Sequence, residues 1–106
     1  MKTKWNHKAR ASYRQIARYI NTRFGRKARQ DFIQRVDEMV ERLQHHPNLG
    51  PIDPLYADRS VAYRSVNING LSKMVYRVED DIIYIAAFWD CRREPQNQAE
   101  QTEQTN

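Results

Sequence analysis

The sequence predicts an α+β fold of order β-α-α-β-β-β, in which an N-terminal strand and an antiparallel helical hairpin pack on one face of a small antiparallel sheet. Two observations lead to this prediction. Apolar residues recur at helical spacing through residues 9–45. Between Ala62 and Pro95, the pair Asn69-Gly70 and the acidic triplet Glu79–Asp81 each mark a chain reversal between apolar runs, which is typical of β-hairpins.

Length and composition indicate one domain. The chain has 106 residues, enough for a single modest core, and we expect the domain to cover residues 1–95. Residues 96–106 contain no large apolar side chain and are predicted to be a disordered polar tail. The single cysteine, Cys91, excludes a disulfide within one chain, and no run is long enough for a membrane span or resembles a signal peptide. We therefore expect a cytoplasmic protein without a membrane partner.

The helical hairpin is predicted from caps and apolar stripes. After a short strand at residues 3–5, Asn6 offers a side-chain acceptor to the first free amides of a helix. Gly25 is placed to end that helix, because glycine readily takes a positive φ, and a second helix is predicted over residues 26–45. The core-facing stripes are Tyr13, Ile16, Ala17, Ile20 and Phe24 in the first helix, and Ala28, Phe32, Val36, Met39, Val40 and Leu43 in the second.

Positive charge is concentrated at the start of this basic chain. The net charge is +5, and no acidic residue precedes Asp31. Arg10, Arg14 and Arg18 recur at intervals of four, which places them along one flank of the first helix. This stripe is either a surface that attracts nucleic acid or an acidic protein, or a solvated face that keeps the helix soluble. Charge alone does not decide between them.

The sequence predicts no metal site and no cofactor. His45 and His46 are adjacent at a helix end, and neighbours in sequence seldom point toward one metal centre. No Gly-rich phosphate loop, carboxylate cluster or Ser-His-Asp arrangement is recognisable. An enzyme would therefore have to draw its chemistry from the basic residues of the sheet.

Turn length predicts which residues share a face of the sheet. With two-residue loops at both reversals, Val66 lies opposite Lys73, and Lys73 in turn lies opposite Phe88. The same loops place Arg77 opposite Tyr84. We expect the hairpin to cover the face that carries Val61, Tyr63, Met74, Tyr76, Val78, Ile83, Ile85, Ala87 and Trp89. The opposite face then carries Arg64, Val66, Lys73, Val75, Arg77, Tyr84, Phe88 and Asp90.

The second of these faces alternates cationic side chains with aromatic and apolar ones. Such a surface suits phosphate, RNA bases or an acidic peptide. The alternative is a solvent-facing sheet whose arginines pair with Asp90 and Glu94, at little energy for each exposed pair. Residues 82–89 are apolar on both faces, which predicts a central strand or one that a partner covers.

Short motifs along nearly the whole chain, in a fixed order, resemble one family. They are His46-Pro47 with Gly50 after the hairpin, Tyr63-Arg64 at a strand start, Lys-Met-Val-Tyr-Arg-Val over residues 73–78, and Arg-Arg-Glu-Pro over residues 92–95. This order resembles the RelE/ParE superfamily of bacterial toxins. The resemblance implies the toxin of a type II toxin–antitoxin (plasmid stabilisation) module, whose antitoxin partner wraps the toxin. It also implies that the pair represses its own operon and that operator DNA is bound only through the antitoxin complex.

Members of the superfamily differ in target. RelE-like members cut messenger RNA on the ribosome, and such cleavage needs cations around the phosphate together with acid–base groups. Arg64 matches the strand arginine of that pattern. If the protein is a nuclease, the resemblance implies catalytic roles for Arg64, Lys73, Arg77 and Arg92.

The end of the last strand departs from the nuclease pattern. Those nucleases place a Tyr or His there, whereas no Tyr follows Tyr84 here and residues 90–95 are Asp-Cys-Arg-Arg-Glu-Pro. This ending resembles ParE-like members, which are associated with poisoning DNA gyrase without covalent chemistry, and we favour that interpretation. Its target-binding residues are predicted to be Arg64, Lys73, Arg77, Tyr84, Arg92 and Arg93. A non-toxic module that binds an antitoxin or DNA is a third interpretation.

The antitoxin is predicted to contact Arg10, Arg14, Arg18 and Phe88. An acidic, partly disordered segment that folds on contact would neutralise the three arginines. The same segment would cover the doubly apolar last strand, to which Phe88 belongs. The sequence therefore predicts one partner surface that joins the first helix to the end of the sheet.

Overall fold

Two helices cover one face of a four-stranded sheet in the computed structural model, which describes residues 1–90. The elements are β1 (Lys2–Trp5), α1 (His7–Phe24), α2 (Arg26–His45), a short 3-10 helix (Pro54–Tyr56), β2 (Arg64–Asn67), β3 (Ser72–Glu79) and β4 (Ile82–Asp90). The predicted α+β class and the order β-α-α-β-β-β are confirmed. Cys91, Arg92, Arg93 and the predicted tail lie outside the described residues.

The hairpin begins and turns where its caps predict. The Asn6 side-chain oxygen accepts a hydrogen bond of 2.7 Å from the Ala9 amide, which fixes the start of α1. Gly25, at φ 98°, is the only residue between the two helices, and its N–H donates to the Asn21 carbonyl at 3.0 Å. A positive φ costs glycine little, so a one-residue link reverses the chain.

The strand order is β1-β4-β3-β2, which places β4 in the interior of the sheet, as its two apolar faces predict. β1 pairs with β4 in parallel, with Thr3 beside Ile83, whereas the other two pairings are antiparallel. The sheet is therefore mixed, and the expected all-antiparallel pairing is wrong for β1. No turn links this four-residue strand to a neighbour, so the sequence held no information on its direction.

The predicted register between β2 and β3 is wrong by one residue. Arg64 pairs with Tyr76 and Val66 with Met74, because the loop contains three residues, 69–71, rather than two. The Ile68 N–H donates to the Ser72 carbonyl at 2.9 Å and closes this longer loop, which the side chains of Asn67 and Asn69 stabilise through bonds to its amides. Arg64 and Val66 therefore lie on the helix-covered face.

The register between β3 and β4 is as predicted near the turn and shifts farther on. Asp80 and Asp81 both have positive φ, as a two-residue hairpin loop requires, and Arg77 lies opposite Tyr84. A bulge beside Val75 and Tyr76 then adds one residue to β4. As a result Lys73 faces Trp89 rather than Phe88.

The core has two parts, one on each face of the sheet. The main cluster joins the hairpin to the sheet and includes Ala9, Ala17, Ile20, Phe32, Val36, Leu43, Val66, Ile68, Met74, Tyr76, Ile83, Ile85 and Phe88. A second cluster lies under the segment that follows α2 and comprises Tyr56, Tyr63, Val75, Ala86, Ala87 and Trp89. The bulge moves Ala87 and Trp89 to this face, so their predicted place beneath the hairpin is wrong. Tyr63 packs there too, and Val61 is exposed.

Two further findings hold across residues 1–90. No helix there combines the length and apolarity that a membrane span requires. No group of three or more His, Cys, Asp or Glu side chains in this part of the chain is arranged to hold a metal ion.

Candidate functional site

A groove with a volume of about 410 Å³ lies between the helical hairpin and the ends of β3 and β4; we call it the hairpin groove. Its apolar lining comes from both helices, the β2–β3 loop and β4. The apolar members are Ile16, Tyr19, Ile20, Phe24, Ala28, Phe32, Leu71, Phe88 and Trp89. The polar members are Lys8, Ser12, Gln15, Asp31, Arg35, Asn69, Ser72 and Asp90. The rim therefore carries both signs of charge around an apolar floor.

Three large apolar side chains of the groove remain in contact with solvent. Tyr19 is 45% exposed, Phe24 is 62% exposed and Leu71 is 47% exposed. The predicted core position of Phe24 is wrong, because the tip of the hairpin stands in open space: a Cβ added at Gly25 would meet no atom within 4 Å. Apolar surface that the fold leaves open in a concave site favours a partner.

The floor of the groove is fixed by a contact between α1 and β4. Phe88 is 1% exposed and packs against the rings of Trp5 and Tyr13, each at a centroid distance of 5.3 Å. Its N–H donates to the Ser12 hydroxyl at 3.0 Å, and that hydroxyl donates to the Lys8 carbonyl at 2.8 Å. Phe88 thus forms the floor of the groove. The predicted register placed it on the opposite face of the sheet, and that placement is wrong.

The predicted basic face does not form as one surface. Arg64 is the first predicted member that lies elsewhere. Its guanidinium donates to the Gly50 carbonyl at 2.8 Å, on the helix-covered face. Beside it, the Tyr76 hydroxyl accepts from the Gly50 N–H at 3.0 Å and donates to the Pro47 carbonyl at 2.8 Å. Burial raises the pKa of Tyr76, against the smaller effects of the Gly50 bond and the Arg64 charge, so the phenol keeps the proton that it donates. Arg64 thus holds a loop in place.

Lys73 lies on the other face of the sheet and forms a buried ion pair. Its Nζ is 2.8 Å from Asp53 Oδ2, and the Asp53 side chain is only 3% exposed. Asp53 Oδ1 also accepts from the Leu55 N–H at 2.9 Å and caps the 3-10 helix. Sequence reasoning did not single out Asp53, although an aspartate directly before Pro54 is a typical cap.

Arg77 and Tyr84 form the part of this face that stays open. The Arg77 guanidinium lies 4.2 Å from the centroid of the Tyr84 ring and forms an ion pair with Glu79. Lys4 of β1 is the next neighbour of Tyr84 across the sheet. Arg77 and Tyr84 are therefore adjacent, whereas Lys73 is engaged by Asp53. Arg92 and Arg93 lie outside the described residues.

The predicted antitoxin-binding residues are divided between the two flanks of α1. Arg10, Arg14 and Arg18 are all exposed. Arg14 and Arg18 line a depression between α1 and α2, on the flank that faces away from the hairpin groove. Phe88 belongs to the groove. One segment would have to cross the outer surface of α1 to contact all four residues, so the structure does not bring them together.

Comparisons with known proteins identify the family. A family model described as the ParE toxin of the type II toxin–antitoxin system parDE matches residues 3–95. No curated protein sequence matches the chain. The chain is similar in structure to a protein of the chromosomal ParDE toxin–antitoxin system from P. aeruginosa, with a TM-score of 0.68 and 23% identity over 85% of this chain and 95% of that one.

A second solved structure, a YoeB dimer from Staphylococcus aureus, has a TM-score of 0.58 and 20% identity over 82% of this chain and 92% of that one. At these identities the two likenesses concern the fold alone. The family match covers nearly all of the described residues. The chain belongs to the ParE toxin family of type II toxin–antitoxin systems.

Proposed function

We propose that this toxin is a ParE-like growth inhibitor that acts on DNA gyrase in the bacterial cytoplasm, by binding and not by covalent chemistry. The observation that carries the proposal is the separation of the cations. Arg64 lies on the helix-covered face at Gly50, whereas Lys73 lies on the other face in an ion pair with Asp53. The family match over residues 3–95 supports the same conclusion.

The separation of Arg64 and Lys73 is poorly suited to the cleavage of a phosphodiester. Cations must converge on the phosphorane, and groups beside it must take and give protons. The ammonium of Lys73 is neutralised at 2.8 Å by a buried carboxylate. Removal of a general acid or base typically costs about a hundredfold or more in rate. Inhibition by binding needs neither convergence nor proton transfer.

The target surface that we propose is the open part of the sheet, around Arg77 and Tyr84. Tyrosine and arginine are among the residue types that most often dominate binding energy at protein interfaces. The Arg77 guanidinium over the Tyr84 ring presents both in one contact. Arg92 and Arg93 follow β4 in the sequence and remain predicted members of this surface.

The cognate antitoxin is proposed to bind in the hairpin groove. An amphipathic segment would cover Tyr19, Phe24 and Leu71 with its apolar side. Its polar side would meet the charges of both signs at the rim, among them Asp31 and Arg35. Removing partly exposed apolar area from water supplies affinity of about 25 cal/mol for each Å².

Induction of the chain alone in bacterial cells tests the function. We expect growth arrest, inhibited supercoiling or trapped cleaved DNA when the purified protein meets gyrase, and intact messenger RNA on ribosomes. Ribosome-dependent RNA cleavage with gyrase unaffected would instead establish a RelE-like nuclease. Normal growth at a verified protein level would establish a non-toxic binding module. Co-expression of the antitoxin should restore growth in either toxic case.

A further inference from the structure

The outer flank of the helical hairpin carries a second concave surface, which we call the arginine flank. It is an open depression of about 340 Å³ between α1 and α2, and the cations that line it are Arg14, Arg18 and Arg29. Tyr13, Ala17 and Ile33 supply its apolar wall and Asn21 adds an amide. Arg10 continues the same stripe one helical turn earlier.

The fold does not neutralise these arginines. Among residues 1–90, no acidic side chain forms an ion pair with Arg14, Arg18 or Arg29, although ion pairs form elsewhere in that part of the chain. Like charges at intervals of four destabilise a helix. Burial and, to a smaller extent, the charge of Asp37 raise the pKa of Tyr13, so one carboxylate acts near the depression although it is not part of the lining. The three arginines of the flank therefore leave it with an excess of positive charge.

We propose that the arginine flank binds the phosphodiester backbone of duplex DNA. Guanidinium groups bind phosphate oxygens through paired N–H donors, a geometry that lysine lacks. With a rise of 1.5 Å per residue, arginines four apart are spaced by about 6 Å along α1, so the stripe presents a row of cations along one line. Contacts to phosphate require charge and reach but no base recognition.

Duplex DNA fits this flank better than a single strand does. Single-stranded nucleic acids bind where their bases stack on exposed aromatic rings. Tyr13 is the aromatic residue of the depression, and its ring packs against Trp5 at 5.2 Å and against Phe32 at 5.7 Å. Tyr13 is therefore half-buried and packs against the core. A duplex offers phosphates without requiring any stacking platform.

The position of the flank makes DNA contact compatible with a filled hairpin groove. The groove uses Ser12, Gln15, Ile16 and Tyr19 of α1, whereas the flank uses Tyr13, Arg14, Ala17 and Arg18. These two sets lie on different sides of one helix. Binding of the flank to DNA is measured directly and does not depend on toxicity. It differs from the expectation that operator DNA is reached only through the antitoxin.

The test is the salt dependence of binding, measured by fluorescence anisotropy with the full chain and a labelled duplex of mixed sequence. Three phosphate contacts contribute a log–log slope of about −2.7, which equals about a fortyfold loss of affinity between 50 and 200 mM salt. The variant R14Q/R18Q/R29Q should lose this part of the slope and bind more weakly. The control K2Q/K4Q/R42Q removes the same charge elsewhere and should keep it.

Circular dichroism first establishes that both variants are folded, which we expect because all six side chains are exposed. Equal slopes for the unchanged chain and R14Q/R18Q/R29Q would overturn the proposal. An equal loss in the control would also overturn it, since net charge alone would then explain binding. A poly-glutamate peptide that binds as tightly as the duplex would assign the flank to an acidic protein segment instead.

Discussion

The hairpin groove and the opposite face of the sheet differ in what the fold has left for a partner. In the groove, Phe24 and Leu71 keep about half or more of their surface in water. On the opposite face, Lys73 is held by a carboxylate, and Trp89 is buried beneath residues 46–63, which contribute Tyr63 to the same cluster. The sheet face that was predicted to bind a ligand is thus largely occupied by contacts within the fold. The apolar stripe of α1, which was predicted to be core, is partly exposed in the groove.

The two regions differ in whether other residues of the chain neutralise or cover the side chains. A cation on a sheet predicts a ligand only if nothing in the chain neutralises it. The segment after α2 supplies Asp53 for that purpose, at 2.8 Å from Lys73. In the groove, residues 1–90 leave the apolar rim exposed at Phe24 and Leu71. We therefore expect variants of Lys73 to affect stability and variants of the groove to affect binding.

The largest effect is expected for Lys73→Met. It leaves the Asp53 carboxylate, 3% exposed, without its counter-ion, which typically costs about 3–5 kcal/mol of unfolding free energy. Urea denaturation followed by circular dichroism measures the loss. The double variant K73M/D53N removes the buried charge and should recover most of the stability. Its introduced carboxamide keeps an oxygen that can still accept from the Leu55 N–H.

The same pair of variants separates a structural lysine from a functional one. If Lys73 acts only through the fold, the double variant arrests growth as the unchanged toxin does. A double variant that is stable, is present at the normal level and has no effect on growth would place Lys73 in contact with the target. The covered part of the face would then act in toxicity as well as in folding.

The next largest effect concerns the groove. Phe24→Asp with Leu71→Asp removes two partly exposed apolar contacts, each worth about 1–1.5 kcal/mol when a partner buries the remaining half. Affinity for the antitoxin should fall by about a hundredfold, as measured by isothermal titration calorimetry. Stability should change by less than about 0.5 kcal/mol for each substitution, because both side chains are exposed.

Ile52→Asp is the matched control for the groove. Ile52 is 54% exposed and lies outside the groove, so the same chemical change should leave antitoxin affinity within about twofold. Unchanged affinity in F24D/L71D would remove the groove from the antitoxin interface. Equal loss in the control would indicate that added negative charge, and not lost apolar contact, weakens the complex.

Ser12→Ala should have a smaller effect on stability, because it removes the hydrogen bond between α1 and β4 at the groove floor. The substitution deprives the Phe88 N–H of its acceptor, and an unsatisfied buried donor costs about 1–3 kcal/mol. Thermal unfolding should show the loss. Thr22→Ala removes an exposed hydroxyl from the same helix and should be near neutral. A neutral Ser12→Ala would mean that water replaces the hydroxyl at the groove floor.

The sequence predicts those parts of the fold that depend on local chemistry. The cap at Asn6, the link at Gly25 and the bounds of α2 each follow from a few neighbouring residues, and so does the two-residue loop at Asp80-Asp81. The face of each sheet residue depends instead on loop length and bulges. One added residue in the β2–β3 loop moved Arg64 to the helix side, and the bulge in β4 moved Phe88.

The candidate site was predicted less well, because its residues meet only in the tertiary structure. The basic stripe on α1 was visible in the sequence, but its separation from Phe88 was not. Tyr19 and Leu71 lay off the apolar stripes and had no local signal for a groove. The Asp53 partner of Lys73 is 20 residues away in the chain, so no spacing rule pointed to the pair. Long-range pairing is the information that the sequence patterns lacked.

The smallest effect on stability is expected for Arg77→Gln. Its ion pair with Glu79 is exposed, and a cation over an aromatic ring at a surface contributes about 0.5–1 kcal/mol, so the unfolding free energy should fall by about 1 kcal/mol or less. If Arg77 and Tyr84 contact the target, growth arrest and gyrase inhibition should nevertheless be lost in Arg77→Gln and in Tyr84→Ala. Arg42→Gln, an exposed arginine on α2, should keep both activities. Toxicity retained in both sheet variants would place the target surface beyond the open part of the sheet.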